Sequence, residues 1–188
     1  MGATTLILLD VQNGIIDMLG RVEMEPYLEH LASALSAARS SGIKVIHVIT
    51  AFRPGYPEAH PTNASFAHVM QHGLFQVGDP AIEVHAAVAP TPEEPVVTKR
   101  RVSAFTGTEL EMILRCTGSD HIVVAGLITS GAVLSTVRSA MDLDLRITVL
   151  RDLCQDRDEE VHRVLMDKVF ERKAEVITGK DWAAKLTE

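Results

Sequence analysis

The feature that most constrains this fold is a repeated exchange between short apolar runs and helix-length amphipathic segments. Leu6–Val11, Ile43–Ile49, Val96–Thr98, Ile122–Ala125, Arg146–Leu150 and Glu175–Ile177 read as strands. Leu6–Val11, apolar but for Asp10, and Ile122–Ala125 are short apolar runs without a helical period, as parallel strands buried on both faces are. Helical patterns lie between them. Leu28, Leu31, Leu35 and Ala38 share one face, and Gly42 fits the stop. Gly107–Leu114 turns Leu110, Ile113 and Leu114 inward, and another helix runs from about Ser130 to Met141. Val161, Leu165 and Val169 mark a long helix with Asp158 as a first-turn acid, and Asp181–Leu186 forms a last short one. This alternation predicts an α/β fold with a parallel sheet covered on both faces. Right-handed crossovers restrict the topology to a doubly wound type.

At 188 residues the chain suits a single domain, 1–188, with a substantial core. The formal net charge of −7 argues against a general nucleic-acid binder, and Lys99-Arg-Arg101 is too short to supply a basic patch. The apolar runs are strand-sized and fall far short of the ~20 residues that span a bilayer. The N-terminus enters a strand without a basic segment or signal core, so a cytoplasmic location is expected. Cys116 and Cys154 are then expected as free thiols.

Residues 50–95 break this regularity. They hold seven of the eight prolines and four of the eight aromatics, Phe52, Tyr56, Phe66 and Phe75. A structureless loop of this length does not suit a compact domain, so a short helix is expected near Asn63–His72. The segment reads equally as a packed excursion, which could also be an oligomer contact, or as a lid over a substrate pocket.

Chemistry gathers at strand ends. Asp10 closes the first strand, Lys99 follows the third, and Gly126-Leu-Ile-Thr-Ser-Gly-Ala132 links the central strand to a helix. In open α/β sheets the crevice at the carboxyl ends of the strands is where ligands bind. Burial raises a carboxyl pKa and a neighbouring lysine lowers it, so Asp10 could be tuned as a general acid or base. The plainer alternative is an Asp that caps a turn before Asn13-Gly14. The i, i+2 spacing of Lys99 and Arg101 puts both on one side of an extended segment, where Arg101 could hold a substrate carboxylate. Arg100 is assigned to the solvated cluster. Gly126 and Gly131 permit unusual dihedrals, free N–H groups at the helix start attract anions, and Thr129 or Ser130 could cap the helix. No Lys-Ser/Thr pair follows Gly131, so this is not a P-loop, and the Gly-x-Gly-x-x-Gly dinucleotide pattern is absent.

The set Leu8-Leu-Asp-Val-Gln-Asn13, Lys99-Arg-Arg-Val-Ser-Ala-Phe105 and Gly126-Leu-Ile-Thr129 running into Ala132-Val133 resembles the isochorismatase-like hydrolase superfamily, the cysteine hydrolases. The resemblance covers nearly the whole chain. It implies a three-layer α/β/α sandwich around a six-stranded Rossmann-like sheet of order 3-2-1-4-5-6. It also implies a non-proline cis peptide at Leu127–Ile128 and a homodimer or homotetramer; no cofactor is expected. Most members use an Asp, a Lys and a Cys, which map to Asp10, Lys99 and the position of Ala132. A minority, the true isochorismatases among them, lack the Cys and use the Asp without a covalent intermediate. Lys99-x-Arg101-x-Ser103-Ala-Phe105 looks especially like that minority, although isochorismatases carry a Tyr where this chain has Ile128. The nicotinamidase branch places an Asp-x-His metal motif where this chain reads Thr50-Ala-Phe-Arg53, and His68 and His72, spaced for a metal, gain no third ligand by pattern. No metal is therefore expected.

A methyl group cannot attack a carbonyl, so Ala132 excludes thioester chemistry at this position. The leading expectation is a hydrolase acting non-covalently on a small anionic substrate. Asp10 would transfer the proton, Lys99 would hold it, Gln12 and Arg101 would contact the substrate, and Ile128, Thr129 and Gly131 would shape the pocket floor. Vinyl-ether hydrolysis is one concrete version. Two other readings stand beside it: a cysteine amidohydrolase whose nucleophile Ala132 has replaced, and a non-enzymatic member that binds a ligand or partner.

Overall fold

A computed structural model of the chain describes residues 2–21 and 23–186. Met1, Val22, Thr187 and Glu188 lie outside the described residues, and the outer bounds of the expected domain fall among them. The elements alternate as expected. They run β1 (Ala3–Leu9), α1 (Asn13–Leu19), α2 (Glu25–Ser40), β2 (Lys44–Thr50), α3 (Ala64–Gln71), β3 (Val96–Lys99), α4 (Leu110–Cys116) and β4 (Ser119–Leu127). Then follow α5 (Leu134–Asp142), β5 (Arg146–Gln155), α6 (Glu159–Val164), β6 (Glu175–Ile177) and α7 (Gly179–Lys185). The six strands form one parallel sheet in the order β3-β2-β1-β4-β5-β6. The order reverses between β1 and β4, which opens a crevice at their carboxyl ends.

Strand parity divides the core. Ile7 and Leu9 of β1 join Val97, Leu110, Leu114, Val133 and Val137 on one face of the sheet. Leu6 and Leu8 point the other way, against Leu28, Leu31, Leu35 and Trp182. The apolar stripe of α2 thus packs where its period directs it. Residues 51–95 build a satellite core of Phe52, Tyr56, Phe66 and Phe75, with Phe52 and Phe66 edge to face at 5.2 Å. Within it α3 appears where a helix was expected, capped by Asn63, whose side chain accepts from the Ser65 amide.

Several boundaries differ for physical reasons. Gly107 has φ +71°, which a helix does not accommodate, so α4 starts at Leu110. Asp158 is the N-cap of α6 rather than a first-turn acid; its carboxylate accepts from the Glu160 and Val161 amides. The long helix expected after it changes to a π-helical turn over Leu165–Phe170. The helix expected from Ser130 opens as another π-helical turn, Thr129–Val133, before α5.

Candidate active site

Asp10 and Lys99 meet across an intervening strand. Asp10 is the residue after β1 and Lys99 ends β3, two strand spacings away, about 10 Å. The long lysine side chain closes that gap: its Nζ lies 2.8 Å from Asp10 Oδ2. Thr50, at the end of β2 between them, completes a triangle. Lys99 Nζ donates to Thr50 Oγ1 at 2.7 Å, and Thr50 Oγ1 donates to Asp10 Oδ1 at 3.1 Å. Asp10 and Lys99 are only 6% and 3% exposed. A charged pair so far from water depends on this mutual satisfaction. Asp10 adopts φ +53°, a left-handed conformation that Asp tolerates better than most residues, and its amide donates to the Val48 carbonyl. The chain thus turns sharply as β1 ends, with the Asp10 carboxylate held at the carboxyl edge of the sheet.

Gln12 was expected to contact substrate, and the structure gives it a different task. Its Nε2 donates to the carbonyls of Thr50 and Ile82, while its Oε1 accepts from the Thr50 amide. The residue is fully buried. With the amide committed to backbone at both ends, Gln12 fixes Thr50, and through it Asp10 and Lys99.

The turn after β4 carries the remaining expected residues. Leu127–Ile128 is a cis peptide, as the resemblance implied. Gly126 has φ +127°, whereas Gly131 is not in the left-handed region, so only the first of the two glycines is required by its dihedrals. Thr129 is fully buried, and its Oγ1 hydrogen-bonds His162 Nδ1 at 2.8 Å. Neither Thr129 nor Ser130 caps the helix. Instead the Ser130 amide donates to Asp156 Oδ2 at 2.7 Å, while the Gly131 and Val133 amides donate to the Ile128 carbonyl. A carboxylate of the chain itself therefore takes part of the anion-attracting capacity of this helix start. Ala132 is 4% exposed, and its methyl group joins the core on the α5 face. Since β4 neighbours β1, the turn stands beside Asp10 at the same edge of the sheet.

The basic segment after Lys99 departs from the i, i+2 expectation. β3 ends at Lys99 and the chain bends through residues 100–103, so the alternation of sides stops there. Lys99 points inward while Arg101 is exposed and donates to the carbonyls of Glu58 and Arg100. Arg100, assigned to solvent, is instead 30% exposed and lies 3.1 Å from the Glu58 carboxylate, which Arg53 also approaches at 3.3 Å. Both carboxylate oxygens of Glu58 and Arg100 Nε are buried without an aligned hydrogen bond. Three guanidinium groups thus gather around Glu58, two at its carboxylate and Arg101 at its main-chain carbonyl.

Sequence reasoning missed Thr50, Glu58, Asp156 and His162. The strand-end rule that found Asp10 and Lys99 also selects Thr50 and Asp156, which end or follow β2 and β5. Glu58 and His162 carry no such signal. Burial dominates the His162 pKa and lowers it, against an opposing pull from Asp156. Neither thiol suits nucleophilic work: Cys116 is exposed at the end of α4, and burial pushes Cys154 up to about 12. Among the described residues, no three or more His, Cys, Asp or Glu side chains converge as a metal site. Nor is any helix long and apolar enough to cross a membrane.

Comparison with known proteins places the chain in a family. The isochorismatase domain family model matches residues 4–181. An uncharacterized isochorismatase family protein, YecD of Escherichia coli O157:H7, is 32% identical over 177 residues, covering 92% of this chain and 90% of its own. Maleamate amidohydrolase of Pseudomonas putida is 30% identical over 154 residues, covering 82% of this chain and 71% of its own. The crystal structure of an isochorismatase family protein from Desulfovibrio vulgaris superposes over the full length of both chains with a TM-score of 0.87 at 27% identity. Sequence and sheet order agree, and the chain is a member of the isochorismatase-like hydrolase family.

Proposed function

We propose that this chain hydrolyses a small anionic substrate by attack of water without a covalent intermediate, with Asp10 as general acid/base. The observation that carries this reading is the buried Asp10–Thr50–Lys99 triangle, kept intact beside a turn that offers a methyl group where a thiol would attack. For an amide, water adds to the carbonyl carbon as Asp10 takes its proton; for a vinyl ether, Asp10 first protonates the terminal carbon and then takes a proton from the water that attacks the resulting oxocarbenium carbon. Asp10 then delivers that proton to the departing group, which leaves with the electrons of the broken bond. Lys99 steadies the carboxylate before proton transfer and keeps its hydrogen bond to Thr50 afterwards. The arginine rim around Glu58, Arg101 included, supplies the attraction for an acidic group. Ile128, Thr129 and Gly131 form the floor, Thr129 by fixing the turn through His162.

A second reading is favoured by the amidohydrolase relative: an amidohydrolase framework in which Ala132 has replaced the nucleophile. Kinetics on small anionic amides and vinyl ethers, maleamate included, separate the two. Turnover by the natural chain that Asp10→Asn removes supports direct hydrolysis. Turnover by Ala132→Cys alone supports the replaced nucleophile. Tight binding without turnover by either variant points to a ligand-binding protein.

A further inference from the structure

Beyond the hydrolytic site, one groove gathers half of the cations that form no ion pair among the described residues. Eighteen Lys and Arg side chains are present, and among the described residues ten of them sit in ion pairs. Of the eight that do not, four line a single groove of about 260 Å³ between α5 and the π-helical turn Leu165–Phe170. They are Arg138, Lys168, Arg172 and Lys173, all exposed. The chain as a whole carries −7, so this concentration of free positive charge runs against its composition. No acidic side chain lines the groove, and Asp167 beside it is engaged by Arg151 and Arg163.

Between the cations the walls are apolar. Val137 and Phe170 are buried beneath, and Met141 and Val169 pack partly exposed against the same core. An apolar cleft rimmed by a few unpaired charges of one sign is the pattern of a small-molecule site, here just below the usual size range of about 300–1,000 Å³. We infer that this groove binds a small amphipathic anion, with a carboxylate or phosphate head among the four cations and an apolar body along Met141 and Val169. The assignment is independent of the hydrolytic reading.

Both walls lead to the catalytic turn. Leu134, in the groove, directly follows the Thr129–Val133 turn, and the opposite wall continues α6, whose His162 holds Thr129.

The test is calorimetric titration of the full chain with octanoate and with hexyl phosphate, using 1-octanol and acetate as controls, at low and high salt. The expected result is saturable binding of one amphiphilic anion per chain, weakened by salt and absent with either control. Comparing octanoate with hexyl phosphate assigns the head group. The double variant Arg138→Gln/Lys173→Gln, altered only at exposed side chains, should keep its melting temperature and lose about tenfold or more in affinity. No saturable heat with either anion, equal binding of 1-octanol, or undiminished affinity in the variant overturns the inference. Sedimentation velocity supplies a further check. Self-association of the natural chain that the double variant abolishes would make a second copy the occupant, which also overturns it.

Discussion

A β-carbon on Gly126 would stand 2.1 Å from the carbonyl oxygen of Leu9, the residue before Asp10. The central strand and the first strand therefore touch backbone to backbone where the site begins, and only glycine allows it. Gly126→Ala adds this collision to a φ of +127°. It should cost about 3 kcal/mol or more of stability. Gly131→Ala, whose added β-carbon meets nothing within 4 Å, should change stability by less than about 1 kcal/mol. Urea unfolding of both variants checks this; a Gly126→Ala protein as stable as the natural one would show that the contact is relieved cheaply.

Asp10→Asn should lower turnover by about 10²–10⁴-fold, since Asn cannot exchange the proton. As a near-isosteric change it looks mild from the sequence. The burial of Lys99 says otherwise, because removing its counter-ion leaves a buried ammonium with only neutral acceptors, Thr50 and the Asn amide oxygen, around it. A stability loss of about 3–5 kcal/mol is expected. Asp10→Asn combined with Lys99→Met should recover most of that loss and none of the activity. Steady-state kinetics and denaturant titration separate the two effects, and an active Asp10→Asn variant would rule out the direct-hydrolysis scheme.

Iodoacetamide should label the native protein once, at exposed Cys116, and leave turnover intact. Cys154 should remain unlabelled, being buried with its thiol pushed up to about 12. Mass spectrometry locates the label. Inactivation without unfolding would place a thiol in the mechanism.

Acid should destabilise the fold in two stages. Burial lowers the His47 pKa against the upward pull of Glu94, and burial also lowers His121 and His162. The unfolded chain binds these protons near pH 6.5 and the folded chain resists them, so stability falls as pH drops below about 6.5. Burial opposes ionisation of Glu94, but Arg39, the Thr91 amide and His47 outweigh it and hold its carboxyl at about 2. Its contribution is present above the ordinary value of 4.5 and disappears between there and about 2. Urea midpoints from pH 7 to pH 3 should show both losses, and Glu94→Gln should flatten the lower one. An unchanged lower limb in that variant would assign the acid sensitivity to other carboxylates.

Activity should survive chelation. His68 and His72 stack at 4.1 Å, yet no third His, Cys, Asp or Glu joins them among the described residues. Loss of turnover in EDTA, restored by zinc or iron, would identify a metal site assembled in another way.

Much of this protein follows from pattern alone. Apolar runs such as Leu6–Leu9 and Ile122–Ala125 cannot be solvated as strands or as helices, so burial within a covered parallel sheet was legible in their composition. The prolines and aromatics of residues 50–95 likewise announced a segment with its own packing. Strand ends located Asp10 and Lys99, because a charge placed straight after a buried strand must lie at the sheet's edge.

Other features depend on groups far apart in the chain. Gln12 hydrogen-bonds to Thr50 and Ile82, a relationship set by how β1, β2 and the excursion stack. The i, i+2 rule holds only while a strand lasts, and β3 stops at Lys99; Arg101 therefore turned outward and Arg100 inward to Glu58. The sequence by itself determined the alternation of elements, the division of side chains between core and surface, and the absence of a thiol at position 132, because these depend on local residue chemistry. Only the tertiary structure decided which polar groups satisfy one another, since a buried hydrogen bond or ion pair is specified by three-dimensional proximity, to which spacing along the chain gives no measure.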